Sequence, residues 1–112
     1  MSEVGTIQPA HINKLTGIVS AGTTVNVDTI PLSSLKSVIY ETHLHSDTPD
    51  RNLMMSVRGF KKNGVPNRSV TNKNGDTLNY KVKFETVGSD AVFQIVNDEL
   101  FDFSFDVFQL KF

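Results

Sequence analysis

The most constraining feature of this sequence is its last stretch, residues 100–112. Phe101, Phe103, Phe105 and Val107 alternate there with Asp102, Ser104 and Asp106. A period of two marks a β-strand with one dry and one solvated face, because successive side chains leave a strand on opposite sides. After Val107 the phase changes, and Phe108, Leu110 and Phe112 become the apolar set. One extra residue in a strand sends every later side chain to the other face. The pattern therefore predicts a β-bulge or sharp bend near Val107–Phe108 that turns both apolar sets inward, as in a strand passing between the two sheets of a sandwich.

The rest of the chain follows the same period. Val38, Tyr40, Thr42 and Leu44 form the inner face of a long strand, with Ser37, Glu41, His43 and His45 on the other side. Leu53, Met55 and Val57 alternate, and Leu78, Tyr80, Val82 and Phe84 alternate strictly with Asn79, Lys81, Lys83 and Glu85. Residues 91–96 are more continuously apolar, which predicts a central strand. Residues 15–20 and 24–30 read as shorter strands, the second with Val25 and Val27 on one face. Pro31 removes a ladder donor, so that strand ends there or lies on an edge. Asn63-Gly64 reads as a hairpin turn and Asn74-Gly75 as another, with residues 46–52 as a polar loop. Ser33 or Ser34 is a candidate cap for a very short helical turn. Residues 65–71, broken by Pro66, read as an edge segment.

Seven or eight strands at this spacing, with no helix of three turns, predict an all-β fold: an antiparallel β-sandwich, jelly-roll-like. The 112 residues suffice for one domain and one core. Residues 14–112 are expected to form it. Residues 1–13, interrupted by Pro9, read as an N-terminal arm or edge strand. This segment is either a frayed terminus or an arm that buries Val4, Ile7 and Ile12 on a neighbouring subunit.

Charge and composition exclude several classes. A net charge of −1 gives no electrostatic footprint for nucleic acid or an anionic membrane. With no cysteine, thiolate chemistry and disulfide staples are excluded. Apolar runs are too short to span a bilayer. Met1-Ser2-Glu3-Val4-Gly5 has neither a basic nor an apolar leader region, so no secretion signal is expected and the chain is expected to be made in a cytoplasm.

His43-x-His45 is the one motif with ligand potential, since residues i and i+2 of a strand share a face. Two imidazoles do not fill a tetrahedral or octahedral shell. A metal would need Asp47, His11 or the same pair from symmetry-related chains. The simpler reading is two surface polar residues on a solvated face. Residues 47–50 lack the ligand spacing of a calcium loop. Asp98, Glu99, Asp102 and Asp106 read as an acidic stripe rather than a glycosidase pair. Lys61, Lys62, Arg68 and Lys73 make a basic patch, either ordinary hairpin-tip solubility or half of a head-to-tail contact with the acidic stripe of another copy. No nucleophile elbow is present, so no enzyme activity and no cofactor are expected.

Residues 27–45 resemble a segment of the small β-sandwich virion proteins of tailed bacteriophages. The matching residues are Asp28, Pro31, Ser33 or Ser34, and Tyr40 leading into a strand, and the resemblance extends over residues 15–112. The Phe-rich final strand departs from that pattern. The resemblance implies a structural subunit in head decoration, collar, baseplate or fibre, located in the virion and assembled in the host cytoplasm. It implies other virion proteins as partners and a homo-oligomer or symmetric array, with no nucleic acid and no membrane. Phe108, Leu110 and Phe112, with Val4 and Ile7, are the candidate interface residues. The alternative reading is a receptor- or glycan-binding module using residues 46–52 and 61–68.

Overall fold

Alternating apolar and polar residues produce eight strands: β1 (His11–Val19), β2 (Thr24–Pro31), β3 (Ser37–Asp47), β4 (Asp50–Lys62), β5 (Val65–Gly75), β6 (Tyr80–Val87), β7 (Asp90–Asn97) and β8 (Phe103–Lys111). They come from a computed structural model in which residues 11–112 are described. One five-stranded sheet runs β1-β8-β3-β4-β5 and one three-stranded sheet runs β2-β7-β6. All neighbours are antiparallel. Among the described residues the only helical element is the 3-10 turn Leu32–Ser34, which has no side-chain cap.

This is the expected all-β sandwich. The β1–β8 and β2–β7 pairs are the outer pairs of a wound jelly roll. The winding stops there: β3, β4 and β5 continue as a meander in the larger sheet, and β6 turns back onto β7. The continuously apolar β7 is the central strand of its sheet, and Pro31 closes an edge strand, both as the sequence predicts.

The inner faces meet over Tyr40, Leu44, Leu53, Val57, Phe84, Phe93, Ile95, Phe103 and Phe105. Tyr40 of β3 stacks on Phe93 of β7 at 4.1 Å between ring centroids and 15° between planes. A polar network runs through this core. Tyr40 donates to Asp28, Gln109 donates to the same carboxylate oxygen, and Asn13 donates to the Gln109 carboxamide oxygen at 3.1 Å. Buried polar groups are tolerated when every one finds a partner, and no buried side-chain polar atom among the described residues lacks one.

The predicted bend in the last strand is absent. β8 keeps unbroken register with both β1 and β3 through Val107, Phe108 and Gln109. The alternation simply continues, so Gln109 points inward, 2% exposed, and Phe108 points outward, 46% exposed. The reason is the polar network: Asp28 and Asn13 satisfy the Gln109 carboxamide inside, so no bulge is needed to hide it. The bulge occurs instead in β2, where the register shifts between Asn26 and Asp28. Val25 and Val27 pack on the core, and the strand then continues with Asp28 and Ile30 turned inward.

Other expectations are corrected. Residues 65–71 belong to an edge strand, as Pro66 predicts, but that strand runs on to Gly75 with a register shift opposite Met54 and Ser56, so Asn74-Gly75 is not a hairpin turn. Residues 46–52 and 61–68 are not loops. They are strand ends joined by tight turns at Thr48-Pro49, where the peptide is cis, and at Asn63-Gly64, where both φ angles are positive (54° and 77°). The 13/14 boundary falls inside β1, which begins at His11 and runs on to Val19. Val4 and Ile7 lie outside the described residues.

Candidate functional site

The outer face of the five-stranded sheet has two chemically different ends. At one end Ile12 of β1 lies opposite Leu110 of β8, and Leu110 lies opposite Ile39 of β3. The Phe112 backbone N–H donates to the Ser37 carbonyl at 3.2 Å, and Ser37 lies opposite Phe60 of β4. Ile12 is 65% exposed, Phe112 is exposed, and Ile39, Phe60 and Leu110 are half-buried. Phe108 extends the strip by one step between Lys14 and Glu41, with the Lys14 ammonium 5.8 Å from its ring centroid. An apolar strip on the wet face of a sheet is what unbent β8 produces from the phase change in its sequence. Of the three C-terminal interface candidates, Phe108 and Leu110 therefore share one surface, and Phe112 follows just past the end of β8, tied to Ser37.

The other end carries the polar groups, with Ile18 and Met54 exposed beside them. Asp106 of β8 lies directly opposite His43 of β3, and His45 projects from the same face two residues on. His45 Nε2 donates to Asp106 Oδ2 at 2.9 Å, and His43 Nε2 donates to Asn52 Oδ1 at 2.9 Å. The two imidazole rings stand 4.8 Å apart, tilted by 36°. One ligand atom from each of His43, His45 and Asp106 lies within 4.8 Å of the others, and all three residues are half-buried. The sequence picked out both histidines and looked for a third ligand in Asp47 or His11. The structure supplies Asp106, which alternation alone had assigned to the solvated face without showing what it faces. Strand pairing was the missing information.

Between the two ends lies a depression of about 540 Å³ lined by Lys14, Glu41, His43, Met54, Asp106 and Phe108. Asn72 and Asn74 of β5 close its far side. Asn72 adopts φ 53° where β5 shifts register, and such bulges increase local twist.

The remaining charged groups do not form the two opposed faces that the sequence suggests. Lys61 donates to the Leu32 carbonyl at 3.0 Å, Arg68 donates to the Val82 carbonyl, and the Lys73 ammonium sits 5.3 Å from the Tyr80 ring. Asp98 pairs with Lys81 at 3.5 Å. Glu99 accepts from the Asn79 backbone at 2.8 Å, and Asp102 from the Ala21 backbone at 2.8 Å. These contacts tie turns and edges together, and of the acidic stripe only Asp106 lies on the outer face of the larger sheet. No protein-family model matches the chain, and no curated protein matches it in sequence.

Proposed function

We propose that this protein is a non-enzymatic structural subunit that docks on other protein chains through the outer face of its five-stranded sheet. The observation that carries this reading is the strip of Ile12, Ile39, Phe108 and Leu110 on a face that a two-layer sandwich leaves to solvent. Contiguous exposed apolar surface of this kind marks protein contacts. The resemblance of residues 27–45 to small virion proteins of tailed bacteriophages supports a particle as the setting, with the occupant of the strip a neighbouring subunit in a symmetric array.

Replacing Phe108 and Leu110 by Asp tests it. The variant is expected to keep its strand content and melt cooperatively, and to be lost from intact particles as judged by mass spectrometry of purified virions. Incorporation at the parent's stoichiometry would rule the docking face out. Sedimentation of the parent alone shows whether the first neighbour is another copy.

A second reading is favoured by the depression beside Phe108. An exposed aromatic ring next to Lys14, Glu41, Asn72 and Asn74 offers a stacking surface with polar groups around it, as a receptor- or glycan-binding site would need. Specific glycan-array binding that Phe108→Ala abolishes would favour this recognition role over the structural one.

A further inference from the structure

We propose that His43, His45 and Asp106 bind a divalent transition-metal ion of the zinc class on the outer face of the five-stranded sheet. The inference stands apart from the docking role, because it concerns the polar end of that face.

The ligand set follows from strand geometry. Residues i and i+2 of β3 project their imidazoles together, and the cross-strand partner of His43 on β8 brings a carboxylate beside them. Both strands are internal to the sheet, so ladder hydrogen bonds on each side hold the three Cα positions. Zinc bonds of about 2.0–2.2 Å to nitrogen and oxygen set ligand atoms somewhat more than 3 Å apart. His45 Nε2 and Asp106 Oδ2 already stand 2.9 Å from each other, and the whole set lies within 4.8 Å.

The chemistry matches as well. In the metal-free protein a proton on His45 Nε2 bridges the imidazole and the carboxylate. A metal ion takes that place when the neutral ring adopts its Nδ1–H tautomer, the Nε2 proton being given up to solvent and one taken back at Nδ1, and both groups become ligands. Imidazole donors favour zinc, copper, iron or nickel over calcium or magnesium. The hydrogen bond from His43 to Asn52 fixes the orientation of that ring, the role such outer partners play at metal sites. Three protein ligands leave at least one position for water or a group from outside, and the neighbouring depression gives it room.

The test is zinc titration of tag-free, full-length protein by calorimetry, with histidine ring NMR signals followed in parallel. One zinc per chain is expected, with the ring signals of His43 and His45 moving together. His43→Ala, His45→Ala and Asp106→Asn are each expected to weaken binding at least tenfold while keeping the parent's circular dichroism. His11→Ala is expected to bind like the parent. Absence of saturable one-to-one uptake by the parent would overturn the proposal, as would an Asp106→Asn variant that binds as tightly as the parent. Ring signals that stay fixed in the parent would overturn it without recourse to any variant.

Discussion

The Tyr40 hydroxyl donates a 2.7 Å hydrogen bond to the Asp28 carboxylate across the gap between the two sheets. Asp28 reaches that position because β2 bulges at Val27, and it also accepts from Gln109 of β8. One carboxylate therefore ties the edge strand of the small sheet to two central strands of the large one. Tyr40→Phe keeps the ring and its stack on Phe93 but removes one donor from a charged acceptor. Losing a hydrogen bond to a charged group costs about 1.5–3 kcal/mol. Urea unfolding of the variant is expected to show that loss as a lowered midpoint at unchanged slope. A Tyr40→Phe/Asp28→Asn double-mutant cycle is expected to give non-additive losses, because the two residues share the interaction.

The same environment controls the Tyr40 proton. Burial first, and then the charge and hydrogen bond of Asp28, push its phenol far above the ordinary tyrosine range, with the Gln109 contact opposing them. The folded protein thus holds a proton that an unfolded tyrosine releases near pH ~10. Below that pH both states carry it and the contribution to stability is complete. Above it the unfolded state binds fewer protons, so stability falls as pH rises. In a Tyr80→Phe variant Tyr40 is the sole tyrosine. Its tyrosinate absorbance is expected to appear only together with the loss of the strand signal in circular dichroism. Tyrosinate forming in the intact fold would show that the hydroxyl is not buried against Asp28.

Unbent β8 makes a contrast that a bent strand would not. Phe105 faces the core and is 4% exposed, so Phe105→Ala is expected to cost about 3–5 kcal/mol. Phe108 faces outward, and Phe108→Thr, which retains strand propensity, is expected to cost about 1 kcal/mol or less. Equal losses at the two positions in chemical denaturation would mean that both rings are internal.

The contrast also marks where the sequence stops being legible. Strict alternation identified β3, β6 and the first half of β8, because in those segments the inner positions are apolar, or at Thr42 a β-branched residue whose hydroxyl bonds locally to the Tyr40 carbonyl, and every inference needs only the next residue. It failed at Gln109, where a polar side chain belongs inside because Asp28 and Asn13, distant in sequence, complete its hydrogen bonds. It failed again at β5, whose side chains are mostly exposed and so carry no apolar period. His43 and His45 were visible as a pair because i and i+2 is a local relation. Asp106 was not visible as their partner, because the β3–β8 register is a property of the folded sheet.

The two sheets pack closely at Gly59 of β4. A Cβ there would stand 2.8 Å from the Phe84 ring of β6 and 2.9 Å from Val38 on the neighbouring strand. The alternation of β4 calls for an apolar side chain at this inward position, and the ring of Phe84 occupies the space instead. Gly59→Ala therefore overfills the core rather than improving the strand, and overpacking of this kind costs about 1–3 kcal/mol. Because the ring of Phe84 supplies part of the strain, beside Val38, trimming that ring in the same chain relieves that part. Phe84→Leu alone is expected to destabilise the protein, yet in the Gly59→Ala background it is expected to cost less. Thermal unfolding of the two single variants and the double variant measures the coupling. Additive losses would show that Gly59 and Phe84 do not share the gap, and that the two sheets meet there less closely than described.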